Sequence, residues 1–153
     1  MNLNLYTDGS CIGNPGPGGW GFVFLENGKI FKKDSGGEAE TTNNRMEIQA
    51  VIEGLKYILT DLEFEDAELK IYSDSRLLIS TMNENWKRKK NLDLWNILDL
   101  LLIDLRKKTF KISWHWVKAH NGNLYNEMVD KIALKEAEKF GGRMTKVERP
   151  KLF

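Results

Sequence analysis

The chain opens with apolar and polar positions that alternate with a period of two, which predicts a β-strand. Leu3, Leu5 and Thr7 share one face of this strand, which reaches Asp8. The glycines and prolines that follow, from Gly9 onward, do not suit a strand, so we expect Asp8 at the last ladder position with a tight loop after it. Gly16 to Gly21 also fit the dinucleotide-binding pattern G-x-G-x-x-G, but the next residues read as a strand, whereas that motif must open a helix.

Two further strands are predicted on either side of Asn27-Gly28, over residues 20–25 and 29–33. Asn-Gly suits a two-residue hairpin turn because both positions tolerate positive φ. We therefore expect an antiparallel meander of three strands, which ends at Ser35-Gly36-Gly37.

Helical spacing of apolar residues predicts the next elements. A first helix follows Thr42, with Glu47 at the edge of its apolar stripe, and a short helical pattern follows Asp74. A helix over residues 92–107 has the stripe Leu94, Ile97, Leu98, Leu101 and Leu105. A final helix spans about residues 125–140, with Asp130 at its stripe's edge.

Two more strands alternate with these helices, over residues 69–73 and 110–116. The first ends at Asp74, and the second carries Trp114 and Trp116 on an apolar face that we expect to pack against the sheet. Strands that follow helices pair in parallel by right-handed crossovers. We therefore predict an α/β fold with a five-stranded mixed sheet, three strands antiparallel and two parallel, flanked by helices. The carboxyl ends of its parallel strands are the expected position of a site.

Length and charge narrow the possible functions. A chain of 153 residues suits one domain, and a net charge of +1 from 23 basic and 22 acidic residues means that nucleic-acid binding would depend on local patches. The single cysteine, Cys11, excludes an intramolecular disulfide and fits a reducing compartment. No long uninterrupted apolar run is present, so we expect a cytoplasmic protein without membrane attachment.

Four carboxylates lie at element ends or stripe edges: Asp8, Glu47, Asp74 and Asp130. Each has an ordinary explanation alone, such as a turn aspartate for Asp8 or a helix cap for Asp74. Together they can converge, and converging carboxylates repel one another unless a cation neutralises them. Oxygen ligands favour Mg²⁺ or Mn²⁺, and no Cys/His grouping indicates zinc. Two such ions support in-line phosphodiester hydrolysis without a covalent nucleophile.

These residues belong to motifs by which the chain resembles type 1 ribonuclease H. The motifs, in the family's order, are YTDGSC (6–11), GNPGPGG (13–19), TTNNRME (41–47), SDS (73–75), NLDLW (91–95), WVKAH (116–120) and NE with the following aspartate (126–130). The resemblance covers roughly residues 3–138. It implies a ribonuclease H-like fold and a metal-dependent endonuclease that cuts the RNA strand of an RNA–DNA hybrid, leaving 5′-phosphate and 3′-hydroxyl ends.

Position by position, the resemblance also implies roles for individual residues. The family's metal-binding carboxylates match Asp8, Glu47, Asp74 and Asp130, and two Mg²⁺ ions are implied, with Mn²⁺ as an alternative. His120 resembles a histidine that assists proton transfer or product release, and Glu127 an acidic neighbour that tunes metal exchange. The implied substrate-binding residues are Gly9, Cys11, Asn14, Thr42, Asn43, Asn44, Arg76, Trp86 and Arg88. Thr42 and Asn14 could equally serve helix capping and turn formation, and residues 86–90 could be a solvated basic linker.

The chain departs from the family's pattern at several positions. Many family members carry a long basic protrusion between the positions of Trp86 and Asn91, whereas this chain keeps Arg88 and a few lysines. Met82 and Arg76 stand where well-studied bacterial relatives have tryptophan and glutamine. We therefore expect weaker substrate binding rather than lost chemistry. We also expect a monomer with a catalytic domain over residues 1–140, a loose basic tail over 141–153, and no N-terminal hybrid-binding module.

Two alternatives remain at this point. One is a nuclease of the same fold that acts on DNA, such as a junction resolvase, although Cys11, Asn43 and Asn44 favour RNA recognition. The other is a hybrid-binding module without catalysis. A decayed site should have lost an acidic residue, and none of the four is missing.

Overall fold

A computed structural model describes residues 1–141, and the expected loose tail from residue 142 onward lies outside the described residues. The strands are β1 (Asn2–Cys11), β2 (Gly16–Glu26), β3 (Lys29–Thr41), β4 (Glu68–Ser73) and β5 (Lys111–Trp116). The helices are α1 (Asn43–Asp61), α2 (Arg76–Glu84), α3 (Leu92–Lys107) and α4 (Leu124–Phe140). The predicted order of elements is confirmed.

The strands form one five-stranded sheet in the order β3-β2-β1-β4-β5. Strands β1, β2 and β3 pair antiparallel, whereas β4 pairs in parallel with both β1 and β5. This is the predicted mixed sheet. Strands β3 and β5 lie at its two edges, and at its centre β4 ends at Ser73 while the neighbouring β1 continues to Cys11.

Helices cover both faces of the sheet, because side chains alternate along each strand. One face carries Leu5, Phe22 and Ile71, which pack with α1, α2 and α3 into the main core. The other carries Val23 and Leu25, which pack against Val129 of α4. Among residues 1–141, no helix has the length and apolarity that a membrane span needs.

The strands run further into the glycine-rich segments than predicted. Strand β1 continues past Asp8 to Cys11, which pairs with Gly18, and β3 continues past Gly37 to Thr41. The reason is the close approach of α4: a Cβ on Gly19 would lie 2.2 Å from the backbone oxygen of Ala133. Here glycine lets a helix pack closely on a strand, so its presence does not mark the strand's end.

Helix α3 confirms the predicted stripe at Leu94, Leu98 and Leu105 but departs from it at other positions. Its buried side chains are Leu94, Trp95, Leu98, Leu102 and Leu105. Ile97 was predicted to face the core but is 40% exposed. Apolar residues occur on more than one face of this helix, so their spacing alone could not identify the buried face.

Helix α1 starts with two polar contacts that bear on the substrate-binding prediction. The Oγ1 atom of Thr42 accepts a hydrogen bond from the Arg45 backbone N–H at 3.3 Å, as in a helix N-cap. The Oδ1 atom of Asn14 accepts one from the Asn43 backbone N–H at 2.8 Å. Thr42 and Asn14 therefore fix the start of α1, whatever else they bind.

Arg45 then joins the start of α1 to the start of α3. Its guanidinium donates hydrogen bonds of 3.0 Å and 2.7 Å to the two carboxylate oxygens of Asp93. A third bond of 3.2 Å goes to Asn91. Paired N–H···O bonds of this kind fix orientation as well as distance, so α3 is held in register with α1.

Candidate active site

Three carboxylates meet at the carboxyl ends of β1 and β4. Asp8, Glu47 and Asp74 each place an oxygen within 4.8 Å of the others. Asp8 lies in β1, Glu47 in the first turns of α1, and Asp74 directly after β4. The exposed fractions of Asp8 and Glu47 are 2% and 5%, and Asp74 is partly buried. Glu47 was predicted at the boundary of the core and is instead enclosed by it.

Two local features bring these side chains together. A Cβ on Gly9 would lie 2.3 Å from the Glu47 backbone nitrogen, so only glycine lets α1 start this close to β1. After β4, the N-cap of α2 is Ser75, whose Oγ accepts a hydrogen bond from the Leu78 backbone N–H at 3.1 Å. The cap alternative for Asp74 is therefore wrong, and its carboxylate is available to the cluster.

The cluster has fewer hydrogen-bond donors than carboxylate oxygens. The Gly9 backbone N–H donates to Asp8 Oδ1 at 2.9 Å. The Oε2 atom of Glu47 is buried and has no hydrogen-bond partner within the described residues. A buried carboxylate oxygen without a donor is costly to stability, and a cation is the group that would satisfy it.

Burial and mutual repulsion raise the pKa values of all three carboxyls. Burial, followed by the charges of Glu47 and Asp74, raises the pKa of Asp8 to about 11. Burial and then the charge of Asp74 raise the pKa of Glu47 to about 8. Burial is also the main reason why the pKa of Asp74 is raised. Without a cation, the three groups cannot all be ionised at neutral pH.

Asp130 and His120 approach the same cluster. A hydrogen bond with the Asp130 carboxyl adds to the raised pKa of Asp8, and the Asp130 charge helps to raise the pKa of Asp74. The charge of His120 acts on Asp74 in the opposite sense and lowers its pKa. His120 is exposed, with a φ of 54°, in the loop before α4. Asp130 and His120 thus act electrostatically on the group of three carboxylates, whose oxygens lie within 4.8 Å of one another without Asp130.

Asn126 is a site residue that the sequence reasoning did not single out. It is 2% exposed, its side chain partly offsets the rise in the pKa of the Asp74 carboxyl, and its Oδ1 atom has no hydrogen-bond partner among residues 1–141. One signal could have found it: Asn126 lies four residues before Asp130, so the two side chains share a face of α4. Glu127, next to it in the first turn, is partly buried.

Several of the expected substrate-binding residues lie beside Glu47 at the start of α1. Asn43 and Asn44 are exposed there, and Thr42 is partly exposed. The Cys11 thiol donates weakly to the backbone oxygens of Gly16 and Thr41 at 3.5 Å and 3.4 Å. The structure thus gathers these side chains next to the acidic cluster.

Arg76 lies on the other side of the cluster and is exposed. Its guanidinium carbon is 4.2 Å from the ring centroid of Trp116, a cation–π geometry. The Trp116 Nε1 donates to the Asp74 backbone oxygen at 3.1 Å. Trp116 was predicted to pack against the sheet, but it is 40% exposed at the strand's end. It holds Arg76 close to Asp74 instead.

The basic linker between α2 and α3 contains an arginine that is engaged within the protein. The Arg88 guanidinium forms a salt bridge with Asp99, donates to Met82 Sδ at 3.9 Å and lies 5.0 Å from the Trp95 ring centroid. Trp86 beside it is 46% exposed. A cleft of about 220 Å³ follows the linker, lined by Asn44, Leu77, Thr81, residues 87–91 and Trp95.

We expect Arg88→Ala to lower the free energy of unfolding by about 1–2 kcal/mol, because it removes the salt bridge to Asp99 and the cation–π contact with Trp95. Thermal unfolding measures the change. Lys89→Ala, in the same linker but exposed, is the control and should have almost no effect. Equal destabilisation by the two substitutions would contradict an anchoring role for Arg88.

The comparisons with known proteins decide the family. The family model described as RNase H matches residues 1–138. The chain belongs to the RNase H family. Ribonuclease H from Erythrobacter litoralis is 43% identical to it over 149 residues, which cover 89% of this chain and 96% of the relative. Ribonuclease H from Polynucleobacter asymbioticus is 44% identical over 152 residues, which cover 91% and 92%. This RNase H is thus a member of a family of nucleases.

Solved structures confirm its ribonuclease H-like fold. The N-terminal RNase H domain of a Mycobacterium tuberculosis protein superposes with a TM-score of 0.80 at 24% identity, covering 94% of this chain and 98% of that one. LC11-RNase H1, solved in complex with an RNA/DNA hybrid, gives 0.77 at 24% identity, covering 90% and 97%. The family depends on divalent metal ions, and this RNase H presents an acidic cluster that could hold one.

Proposed function

We propose that this RNase H cleaves the RNA strand of RNA–DNA hybrids endonucleolytically and leaves 5′-phosphate and 3′-hydroxyl ends. The observation that carries the proposal is the buried cluster of Asp8, Glu47 and Asp74, which is incomplete without a cation. Relatives over 40% identical are named Ribonuclease H, and LC11-RNase H1 binds an RNA/DNA hybrid.

The donor set fits Mg²⁺, with Mn²⁺ as a substitute. The cluster offers carboxylate oxygens, which hard divalent ions prefer. Glu47 Oε2 lacks a hydrogen-bond partner within the described chain. The raised pKa values of Asp8 and Glu47 reflect burial first and then repulsion between carboxylates, and a bound cation would offset both. When bound, two such ions activate a water and stabilise the leaving oxygen.

Each side chain of the site has its own role in the proposed reaction. Asp8, Glu47, Asp74 and Asp130 would hold the ions, and Asn126, whose side chain favours the ionised form of Asp74, would orient that carboxyl. His120 is close enough to act on Asp74 and exposed enough to exchange protons with water. A histidine changes charge near neutral pH, which suits proton transfer at the leaving group or release of the product. Glu127, beside Asn126, tunes the exchange of the ions.

Substrate recognition depends on residues around the carboxylate cluster. Amide and thiol groups at Cys11, Asn14, Asn43 and Asn44 suit 2′-hydroxyl and minor-groove contacts, which distinguish RNA from DNA. The backbone of Gly9 and the side chain of Thr42 lie next to them. Arg76, Trp86 and the linker around Arg88 supply positive charge and aromatic surface to the phosphate backbone.

A cleavage assay tests the proposal against its rivals. Labelled RNA–DNA hybrid, duplex RNA, duplex DNA and a DNA junction are incubated with the protein in Mg²⁺, in Mn²⁺ and in EDTA. We expect the protein to cleave only the RNA strand of the hybrid, and we expect this cleavage to be lost in EDTA. Treatment of the products with a kinase and a phosphatase identifies their 5′ and 3′ ends. Preferred cleavage of DNA would support a resolvase-like nuclease, and hybrid binding without turnover would support a non-catalytic module.

We expect Asn126→Ala to lower kcat by about 10–100-fold, because outer-shell partners of metal ligands typically contribute this much. Loss of the amide removes the neighbouring group that favours the ionised form of the Asp74 carboxyl. Steady-state kinetics with the hybrid measure the effect. The control is Asn96→Ala, since Asn96 is exposed on α3, and its kinetics should match the wild type. An unchanged kcat in Asn126→Ala would exclude the positioning role.

We expect a basic protrusion grafted between Trp86 and Asn91 to lower KM for the hybrid by about tenfold at moderate salt, since each added phosphate contact strengthens binding and steepens its salt dependence. Kinetics between about 50 and 200 mM salt measure both quantities. A graft of the same length built from glycine and serine is the control. A KM that stays unchanged at every salt concentration would show that the linker does not limit substrate binding.

One chain holds the whole proposed site. The carboxylates, Asn126 and His120 all come from residues 8–130 of a single copy, so a monomer is sufficient for catalysis. We propose residues 1–140 as the catalytic domain. A cytoplasmic location remains a prediction from the sequence.

A further inference from the structure

Trp116, at the end of β5, contacts two residues of the proposed site at once. Its Nε1 donates a hydrogen bond of 3.1 Å to the Asp74 backbone oxygen, and the centroid of its ring lies 4.2 Å from the guanidinium carbon of Arg76. The side chain is 40% exposed. These two contacts, rather than enclosure in the core, therefore fix its position.

The first contact holds the backbone that carries the Asp74 carboxylate. The last backbone bond between β4 and β5 runs from the Val117 N–H to the Ser73 oxygen at 2.9 Å, and Asp74 lies just beyond it. Its own oxygen is bonded by the Trp116 indole, while the next N–H, that of Ser75, donates to the Ser73 Oγ at 3.0 Å. Two side chains thus hold the peptide unit after Asp74, which restricts the direction of its carboxylate.

The second contact orients a cation that has no acidic partner. Two other arginines are tied to aspartates, Arg45 to Asp93 and Arg88 to Asp99, whereas Arg76 is exposed and forms no salt bridge within the described chain. A cation–π contact leaves the N–H donors of a guanidinium available to oxygen acceptors, and their planar fork matches the oxygens of a phosphate. An anion can therefore bind here beside the carboxylates.

We propose that Trp116 is a positioning residue that couples metal binding at Asp74 to substrate binding at Arg76, and that Arg76 binds the phosphate adjoining the one that is cleaved. This role rests on the proposed function, since it takes the RNA strand of a hybrid as the bound anion. The indole N–H keeps Asp74 directed at the ions. The ring keeps Arg76, two residues further on, at a fixed place beside it.

Two substitutions of Trp116 separate its two contacts. Trp116→Phe keeps an aromatic ring for Arg76 but removes the N–H that bonds Asp74, so kcat should fall about tenfold, the lower end of the range for outer-shell partners of metal ligands. Mg²⁺ should also raise the Tm of this variant less than that of the wild type. Its affinity for the hybrid should stay near the wild-type value. Trp116→Leu removes both contacts and should weaken hybrid binding as well.

Substitutions of Arg76 test the bound anion. Arg76→Ala should weaken hybrid binding about tenfold and reduce its salt slope by about one unit, because one phosphate contact is lost. Arg76→Lys keeps the charge without the planar fork, so it should restore the slope but only part of the affinity. Fluorescence anisotropy of a labelled hybrid in EDTA measures binding without turnover. Arg106→Ala, at an exposed position in the last turn of α3, is the control and should change neither quantity.

A double-substitution cycle shows whether Trp116 acts on binding through Arg76. If the ring holds the guanidinium, Trp116→Leu combined with Arg76→Ala should weaken binding scarcely more than Arg76→Ala alone. Trp114→Phe controls for lost stability, because Trp114 lies in the core two residues earlier on the same face of β5. It should lower Tm but leave hybrid affinity and the Mg²⁺-induced rise in Tm at their wild-type values.

Three results would each overturn part of the proposed role. Additive losses in the cycle would exclude the coupling of Trp116 to Arg76, and an unchanged salt slope in Arg76→Ala would exclude the phosphate contact. A wild-type kcat and Mg²⁺ response in Trp116→Phe would exclude the coupling to Asp74. Hybrid binding in EDTA and the Mg²⁺-induced rise in Tm require no turnover, so they are decided separately from whether the protein cleaves RNA.

Discussion

Asp8→Asn is expected to reduce RNA-strand cleavage by about 10²–10³-fold, the range seen when one preorganised polar group is removed from a transition-state site. The substitution keeps the size of the side chain and its hydrogen bond from Gly9. It removes one of the three carboxylates that share the cluster, and with it one negative charge that attracts a divalent ion. Single-turnover cleavage of a labelled hybrid in Mg²⁺ measures the loss.

The matched control is Asp61→Asn, the same change at an exposed position at the end of α1. It should cleave the hybrid at the wild-type rate. Circular dichroism of both variants should match the wild type, which separates lost chemistry from lost structure. Residual cleavage by Asp8→Asn within tenfold of the wild type would show that Asp8 is not a metal ligand.

The same Asp8→Asn substitution should stabilise the metal-free protein. Burial and the neighbouring carboxylates raise the pKa of Asp8 to about 11, so the folded state must keep a proton there that the unfolded chain releases above pH 4. Asparagine needs no proton. At pH 8 in EDTA we expect a gain of about 2 kcal/mol or more, since one unit of pKa corresponds to about 1.4 kcal/mol. For a chain of this size, this gain raises Tm by roughly 4–8 °C.

The stabilisation that we expect from Asp8→Asn depends on pH. A carboxyl with a raised pKa contributes its stability below the unfolded pKa of about 4 and loses it as pH rises towards the folded value. That value is about 8 for Glu47 and about 11 for Asp8. The difference in Tm between variant and wild type should therefore be near zero at pH 4 and grow as the pH rises.

Bound Mg²⁺ should reduce the difference in Tm between Asp8→Asn and the wild type. A ligand that binds only the folded state stabilises it by mass action, and the intact cluster has one more anionic ligand than the variant. Mg²⁺ should therefore raise the Tm of the wild type more than that of Asp8→Asn. Thermal scans between pH 4 and 9, with EDTA or Mg²⁺, measure all of these shifts. A variant less stable than the wild type at pH 8 in EDTA would contradict the electrostatic account.

Sequence periodicity predicted the elements well where one side of an element is buried. The alternation at Leu3 and Leu5 and the helical stripe around Ile52 are direct results of burying one face, and the structure confirms both. The convergence of Asp8 and Asp74 also followed from topology, since β1 and β4 are parallel neighbours and Asp74 follows the end of β4 next to Asp8. Their assignment as metal ligands rested on the resemblance, because each aspartate has an ordinary local role as well.

Positions whose role depends on distant residues were not predictable. The pattern could not reveal that Gly19 faces Ala133 of α4, so the glycine-rich segment was read as a loop instead of a strand. Ile97 and Leu102 are equally apolar, and only the position of α1 decides which of them is buried. Arg88 reads as a linker cation until the structure shows Asp99 and Trp95, both in the following helix α3, around its guanidinium.

The outer edge of β3 has a bearing on how the protein behaves when concentrated. An exposed strand edge can template pairing with another chain, and proteins commonly prevent this with charged side chains. Strand β3 carries Lys29, Lys32, Lys33, Asp34, Glu38 and Glu40 along its length. Stacking two such edges would strip water from many charges at once. This protein should therefore resist fibrillar aggregation even at high concentration.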